Sequence, residues 1–400
     1  APEAPDGLLL QVESVGGGSN ASSASLAPRL AMVTRTTGKR GAGMSLTDPA
    51  EGGGAITFEP LDPSKVVMEA DVAEENFGVG SPSLSYSAVD DRYYLVYAAA
   101  SLDNRTQRVH KSLHFASSND PSDSSSWVRH GPVFDRYPFN TTETEYGTFL
   151  MPFGQKSVRG DRSSWSRRLD ETPPAPPAPH YLIFSAAADG PGQAAGLQVA
   201  VTENIASNGT TRFSVVPNKT LLDPRVGKFD ANGLIPGPAA QQLDDKTLLY
   251  LYNGLEYHHG GAAAESPWSL SVGYAILDPT DPLTVLRRGE TPILVPQEPW
   301  EIKGRVANSV LMSGLRRVDS PPAADLPYWM DQFVGYYSGA ESAVGACLIK
   351  VHCVSSNPSL QSLIAAANPP AASAHGRYWA SRSSDGADPL NPPFAPNIFD

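Results

Sequence analysis

Carboxyl side chains stand directly before two short apolar segments of the chain. Glu145, with Glu143 as its neighbouring alternative, precedes Tyr-Gly-Thr-Phe, and Asp230 precedes Ala-Asn-Gly-Leu-Ile-Pro. A third acid, Glu301, lies in Pro-Trp-Glu-Ile-Lys-Gly. Two carboxyl groups can hydrolyse a glycosidic bond, because one protonates the leaving oxygen while the other activates water. Glu145, Asp230 and Glu301 are therefore the candidate catalytic residues; the simpler alternatives are a loop acid, a turn and a salt bridge, respectively.

Polar and aromatic residues near these acids are candidates for ligand binding: Asn232, Tyr257, His258, His259 and Trp300. A neutral imidazole both donates and accepts hydrogen bonds. Adjacent histidines on a strand point to opposite sides, so at most one of the pair faces a ligand. The indole of Trp300 suits the apolar face of a sugar ring, although a core role is the commoner one. No third ligand stands at a telling spacing from the histidines, so neither a metal nor another cofactor is expected.

The elements that must position these residues are predicted to be β-strands. Apolar residues occur in short runs rich in Val, Ile, Leu, Tyr and Phe, bounded by Gly, Pro, Asp and Asn. Runs such as RYYLVYAAA, YLIFSAA, TLLYLYN and QFVGYYS recur in units of about 60 to 70 residues, each read as four antiparallel strands. The prediction is an all-β fold, a five-bladed β-propeller of four-stranded antiparallel blades. A two-sheet sandwich is the competing architecture.

The N-terminal part carries the weakest strand signals of the chain. They lie at Leu30–Thr34, Ala55–Phe58 and Val66–Glu69 and would supply the fifth blade. We expect one propeller domain over residues 1–355, with an exposed Ser-, Arg- and Pro-rich insertion at 157–179. Residues 356–400 form an Ala- and Pro-rich tail that is expected to wrap around the propeller.

Charge and sequence motifs limit the classes of partner. The net charge of −12 disfavours nucleic acid and anionic membranes, and no apolar run approaches the roughly 20 residues that span a bilayer. The chain begins Ala-Pro-Glu-Ala-Pro, which resembles the end left by signal-peptide removal, a trimmed chain being the alternative. Five N-glycosylation sequons occur, at Asn20, Asn104, Asn140, Asn208 and Asn218. A secreted, extracellular glycoprotein is therefore expected.

Cys347 and Cys353 are the two cysteines of the chain. On one extended strand their Cα atoms would lie about 20 Å apart, whereas a disulfide needs less than about 7 Å. They can pair only if the chain turns between them, near Lys350. A disulfide and two free thiols both remain open from the sequence alone.

The segment from Leu248 to Val351 resembles glycoside hydrolase family 130, the β-mannoside phosphorylases and mannosidases. The resemblance is carried by LLYLYNGLEYHH, SLSVGYAILDPTDPLTVLRRGETPILVP, PWEIKGRVANSVLMSG and FVGYYSGAESAVGACLIKV. The unit from Ser81 to Phe134 is similar as well, and more loosely resembles families 43 and 32. The resemblance implies a propeller with a ligand cavity at the start of its inner strands. It also places Glu301 on a glutamate of the family motif and Glu145 where related propellers carry an acid.

One departure from the family pattern concerns its catalytic acid. The family carries Glu-Asp-Pro-Arg at the start of the second blade, whereas this chain reads Gly-Ser-Pro-Ser, with Ser81 at the Asp position. Phosphorolysis is therefore not expected. Asp71, Glu74 and Glu75 lie nearby and are predicted to be a charged loop. The resemblance then implies a glycan-acting protein that hydrolyses or binds mannoside- or arabinoside-like oligosaccharides. The alternatives are a non-catalytic extracellular glycan-binding or structural propeller and a protein-interaction platform in an extracellular assembly.

Overall fold

A computed structural model of the 400-residue chain describes residues 8–14, 19–20, 30–31, 66–87, 91–103, 105–134, 144–150, 179–185, 196–203, 205, 211–243, 247–258, 266–317 and 330–353. The chain divides into two compact units. The larger comprises residues 11–321 and 331–350, and the smaller comprises 1–10, 322–330 and 351–400. Of the smaller unit, the structure describes only strand residues, at 8–10, 330 and 351–353. The candidate site lies within the larger unit.

The regular secondary structure of the described residues is almost all β-strand. The exceptions are a four-residue helix, α1 (Pro299–Ile302), and two short 3-10 helices at Ala73–Glu75 and Ser124–Ser126. The strands are β1 (Leu8–Ser14), β2 (Ser19–Asn20), β3 (Leu30–Ala31), β4 (Val66–Met68), β5 (Gly78–Ser87), β6 (Arg92–Asp103), β7 (Arg108–Ser118), β8 (Val128–Pro132), β9 (Gly147–Leu150), β10 (His180–Ser185), β11 (Leu197–Thr202), β12 (Ser214–Leu222), β13 (Gly233–Pro236), β14 (Gln241–Gln242), β15 (Leu248–Tyr257), β16 (Trp268–Leu277), β17 (Val285–Arg288), β18 (Val310–Arg317), β19 (Met330–Gly339) and β20 (Ala343–Cys353).

Four antiparallel sheets form the blades of a propeller. The first blade is β5-β6-β7-β8, the second is β9-β10-β11-β12, and the third is β13-β15-β16-β17, with β14 also paired to β15. The fourth contains β18, β19 and β20, with β1 beside β20 and β2 also paired to β20. The first strands of the blades adjoin one another, β5 next to β9, β9 next to β13, and β18 next to β5. They are therefore the inner strands of the propeller.

The predicted count of five blades is wrong, because the part of the chain that the structure describes contains four. In the region predicted to supply the fifth, β3 and β4 pair in a two-stranded sheet. The surrounding sequence is rich in Gly, Ser and Ala, as in GGGSNASSASLA and EGGGA, and such residues pack poorly on a pleated surface. The predicted strand Ala55–Phe58 lies outside the described residues.

The hydrophobic core lies between neighbouring blades. Between the first and second blades, buried side chains including Tyr94, Phe115 and Phe184 pack together. Between the second and third, Ile183, Tyr250 and others do the same. Second strands such as β6 and β15 are buried on both faces over six and seven successive residues, respectively. This double burial explains why their sequences read as continuous apolar runs.

The two cysteines lie on one strand, β20, which runs without a turn near Lys350. That geometry excludes a bond between them. Cys347 is a buried free thiol, and burial raises its pKa to about 12.

Several predictions on loops and termini fall on other parts of the chain. Residues 151–178 and 354–400 lie outside the described residues, as do Asn104, Asn140 and Asn208. Asn218 is exposed on β12 with φ of 55°, and Asn20 ends β2. The domain boundaries and the glycosylation sites stay predictions.

Candidate functional site

Six polar and charged residues from three blades form one cluster at the end where the inner strands begin. We call it the Ser81–Glu145 cluster. Its members are Ser81, Lys111, Glu145, Tyr146, Arg305 and Glu341. Ser81 and Lys111 come from the first blade, Glu145 and Tyr146 immediately precede β9, and Arg305 and Glu341 belong to the fourth blade.

Ser81 sits in an irregular part of β5, where the pairing with β6 shifts between Gly80 and Ser83. Its backbone is left-handed, with φ of 46°. A side chain added at Gly80 would meet no atom within 4 Å, so open space adjoins the bulge. Bulges and left-handed residues of this kind re-aim side chains and are common beside functional sites. Ser81 Oγ donates to Glu145 Oε1 at 3.4 Å.

Glu145 is held at both carboxylate oxygens. Besides the contact from Ser81, Lys111 Nζ donates to Oε2 at 3.1 Å, and the side chains of Lys111 and Glu145 are each 18% exposed. Tyr146 is buried and hydrogen-bonded to Ser81, and its burial raises its pKa well above the ordinary value. The cluster therefore presents a partly exposed carboxylate between an ammonium group and two neutral hydroxyls.

Glu341 lies in the tight turn between β19 and β20. Both Ala340 and Glu341 are left-handed there, with φ of 48° and 49°. Arg305 Nε is 3.5 Å from Glu341 Oε2. Burial raises the pKa of the Glu341 carboxyl, and the nearby Glu145 raises it too, whereas Arg305 and Lys111 oppose the change.

The sequence analysis missed Lys111, Tyr146, Arg305 and Glu341. For Glu341, the sequence offers one indication: the pair Ala340-Glu341 stands between two apolar runs that each predict a strand. A turn this short normally calls for Gly or Asn, so two other residues held at positive φ are unusual. Lys111 has no comparable signal, because one lysine in a strand is ordinary.

Asp230 is fully buried and bound to two arginines. Arg225 donates to both carboxylate oxygens at 2.8 to 3.2 Å, and Arg288 Nη2 donates to Oδ2 at 2.7 Å. Tyr252 OH donates to Oδ2 at 2.8 Å. These partners come from Asp230's own blade and the loop before it. They make a closed network, separate from the described contacts of the Ser81–Glu145 cluster.

Glu301 is also buried, in the first turn of α1. Its Oε2 accepts from the backbone N–H groups of Gln297 at 2.8 Å and Glu298 at 3.0 Å, and Tyr337 OH donates to its Oε1 at 2.8 Å. Trp300 stacks on the Tyr337 ring with centroids 5.6 Å apart. Added side chains at Gly339 and Gly345 would collide with the indole, so Trp300 packs against the backbone of the fourth blade.

The remaining predicted binding residues lie around the start of β13 and the end of β15. Asn232 Oδ1 accepts from the backbone N–H of Tyr257 at 2.8 Å, which is a contact that shapes the turn. Tyr257 is half-buried, and His258 is exposed with its backbone N–H bound to Pro267. His259 and Glu143 lie outside the described residues. The described contacts do not link these residues to the Ser81–Glu145 cluster.

A repeated contact explains why Glu145 differs from the other acids. In the first and third blades a buried acid stands three residues before the glycine that opens the inner strand, Glu75 before Gly78 and Asp230 before Gly233. Each accepts a hydrogen bond of 2.8 Å from a tyrosine of the second strand, Tyr97 or Tyr252 respectively.

The second blade breaks this repeat. Three residues before Gly147 stands Thr144, which is buried, and the acid Glu145 follows one residue later. Successive side chains of an extended chain point to opposite sides, so this shift turns the carboxyl group out of the buried position. Asp71 and Glu74 are exposed, as predicted for a charged loop, whereas Glu75 is fully buried and bound to Arg129. The acid beside Ser81 is Glu145.

The comparisons with known proteins agree with this architecture. No protein-family model matches the chain. β-1,2-Mannobiose phosphorylase of Thermoanaerobacter sp. strain X514 is 29% identical over 116 residues, which are 29% of this chain and 31% of that enzyme. The chain thus matches about a third of the length of this curated relative. β-1,2-Mannobiose phosphorylase from Listeria innocua is similar in structure at 19% identity and a TM-score of 0.49, over 72% of this chain and 62% of that one.

A glycoside hydrolase family 130 structure, from work on hydrolases that target β-1,2 mannosidic linkages in Candida mannan, matches with a TM-score of 0.50. It covers 71% of this chain and 69% of that chain at 20% identity. The fold is that of a family 130-like propeller. In the described part of this propeller, no group of three or more His, Cys, Asp and Glu residues is arranged to hold a metal ion. No helix among the described residues has the length and apolar character needed to cross a membrane.

Proposed function

We propose that this propeller binds neutral glycans of the mannoside or arabinoside type at the Ser81–Glu145 cluster. The observation that carries the proposal is the partly exposed Glu145 carboxylate held between Ser81 and Lys111, next to the open space at Gly80. A sugar hydroxyl can donate a hydrogen bond to a carboxylate, accept one from an ammonium group, and do either with a protein hydroxyl. Asp230 and Glu301 are bound within closed buried networks, so they support the fold around this site.

The charge balance of the cluster supports a neutral ligand. Lys111 is paired with Glu145, and Arg305 is paired with Glu341. Each of the two cations among the described residues of the cluster therefore stands beside a carboxyl group, and this arrangement favours a neutral sugar over an anionic one. The mannoside part of the sugar class is taken from the relatives, which are named as a β-1,2-mannobiose phosphorylase and as hydrolases that target β-1,2 mannosidic linkages. The arabinoside part comes from the looser resemblance to family 43.

The experiment is a glycan array followed by calorimetry with the bound oligosaccharides, including β-1,2-mannobiose and arabinofuranosides. Glu145→Gln should weaken binding by roughly 10-fold to 150-fold, because a hydrogen bond to a charged group contributes about 1.5–3 kcal/mol. Glu203→Gln is the matched control, since Glu203 is exposed and belongs to the second blade but not to the cluster. Binding that is equal in both variants would contradict the assignment of this site.

We further propose that the protein is secreted and carries an N-glycan at Asn218. This asparagine is exposed, belongs to the sequon Asn-Lys-Thr, and stands on the outermost strand of the second blade. Expression with a secretion signal in eukaryotic cells should yield a protein whose electrophoretic mobility increases after glycan removal. Asn218→Gln should lose part of that mobility change; an unchanged pattern would contradict the assignment.

A further inference from the structure

We propose that the first blade contains an acid-sensitive element, the buried histidine pair His114 and His130, and that proton uptake by this pair opens the blade and releases glycan from the Ser81–Glu145 cluster. The release step rests on the proposed glycan binding, whereas the opening of the blade does not. The pair lies on neighbouring strands, with His114 on β7 and His130 on β8.

Both histidines are buried with ring nitrogens that lack partners. Their exposed fractions are 1% and 3%. Among the described residues, neither nitrogen of His114 has a hydrogen-bond partner, and the same holds for Nδ1 of His130. Nε2 of His130 lies 2.9 Å from Ser117 Oγ, and the ring stacks on Phe115 with centroids 4.5 Å apart. A buried polar atom without a partner destabilises the folded state, so packing alone does not explain histidine at these positions.

The surroundings of the pair keep both rings neutral while the blade is closed. His114 Nδ1 lies 3.8 Å from Glu75 Oε1, but the Glu75 carboxylate already accepts hydrogen bonds from Tyr97, at 2.8 Å, and from Arg129. Burial is the largest effect on both rings, and it lowers the pKa of each below 6.5, that of His130 to about 4. The nearby charges are Glu74 and Glu75, which favour protonation of His114, Arg129 and Arg212, which oppose it, and Arg92 and Arg212, which oppose protonation of His130.

Opening of the first blade therefore takes up protons. A histidine in contact with water titrates at about 6.5, whereas the closed blade holds both rings neutral to lower pH. The stability of the closed blade is complete above the ordinary pKa and falls as the pH drops below it, because the open form binds more protons. From pH 7 to pH 5 the opening equilibrium should rise by up to about 25-fold for each histidine, and by up to about 600-fold for the two together.

The same blade supplies the two groups that hold the Glu145 carboxylate. Ser81 lies on β5 and Lys111 on β7, whereas Glu145 immediately precedes the inner strand of the second blade. Lys111 stands three residues before His114 on β7. Opening of the first blade separates Ser81 and Lys111 from Glu145, so a glycan held by all three must dissociate. By the same linkage, bound glycan should hold the blade closed.

Hydrogen exchange of the full chain at pH 7 and pH 5, followed by mass spectrometry and corrected for the intrinsic exchange rates, tests the opening. The opening equilibrium of β7 and β8 should rise by up to about 600-fold at pH 5, whereas that of β15 and β16, which contain no histidine, should change less than about 10-fold. The double variant His114→Phe with His130→Phe should lose the rise, and each single variant should keep up to about 25-fold. His110→Gln is the matched control, because His110 is a half-buried histidine of β7, and it should keep the full rise.

A second measurement tests the link to the glycan site. Glycan at 100 times its Kd should lower the opening of β7 and β8 by about 100-fold at pH 5. An equal rise in the first and third blades of the unmodified protein, or a rise that persists in the double variant, would overturn the opening. Bound glycan that leaves exchange of the first blade unchanged would overturn the release step while the proposed function stands. If no glycan binds, the proposed function and the release step fail together, and the exchange at the two pH values still decides whether the histidine pair opens the blade.

Discussion

Asp230 offers the sharpest test of whether a predicted catalytic acid instead holds the fold together. We expect Asp230→Asn to lower the free energy of unfolding by about 3–5 kcal/mol, the typical cost of removing one partner from a buried ion pair. The substitution keeps the shape of the side chain but leaves Arg225 and Arg288 without their shared anion. Their side chains are only 21% and 12% exposed, so water cannot fully replace it.

Urea unfolding followed by tryptophan fluorescence measures this change, with Glu203→Gln as a control that should stay within about 0.5 kcal/mol of the unmodified protein. A loss of 3–5 kcal/mol corresponds to a fall in Tm of roughly 6–20 °C, with the lower end expected for a chain of this size. Under conditions where Asp230→Asn is still folded, glycan binding should persist. An unchanged unfolding curve combined with lost binding would refute the reasoning and return Asp230 to the ligand site.

Three further predictions concern other buried polar groups. Glu301→Ala should lower the unfolding free energy by about 2–4 kcal/mol, because α1 loses its cap and the Tyr337 hydroxyl loses its acceptor; a thermal melt within 1 °C of the unmodified protein would contradict this. Burial, with Arg92 and Arg212 nearby, lowers the pKa of His130 from the ordinary 6.5 to about 4. The unfolded chain therefore binds the proton first, and stability should fall by about 3 kcal/mol as pH drops from 6.5 to 4. His130→Phe, which preserves the stacking on Phe115, should remove this part of the loss of stability, while buried His114, whose pKa is also lowered by burial, keeps its own contribution. In a Cys353→Ser background, buried Cys347 should react with a thiol reagent only on unfolding; rapid modification of the native protein would show that the β20 region opens.

Much of the fold could be read from the sequence, because strands buried on both faces leave continuous apolar runs. The predicted runs RYYLVYAAA, TLLYLYN and QFVGYYS fall on β6, β15 and β19, within a few residues of the observed bounds. The blade count could not be read in the same way. The N-terminal signals consist of isolated apolar residues among Gly, Ser and Ala, and such segments do not reveal how they pair.

The candidate site was only partly predictable. The sequence signal was an acid before an inner strand, and it selects Glu145 and Asp230 alike. They differ in their distance from the glycine that opens the inner strand: Asp230 stands three residues before it and Glu145 two. This difference of one residue decides whether the carboxyl group contacts a tyrosine inside the blade or points away from it. Lys111 and Glu341 approach from other blades, and contacts across blades leave no trace in local sequence.

The fixed spacing between these residues and the opening glycine has a consequence for engineering. Asn76 in the first blade and Ala231 in the third stand two residues before their opening glycines, as Glu145 does in the second. They are equivalent positions in the repeat, and each directly follows a buried residue, Glu75, Thr144 or Asp230, at the start of the inner strand. New functional groups introduced at these positions would leave the buried residues beside them unchanged. The ligand preference of the propeller can therefore be altered separately from the interactions that stabilise its blades.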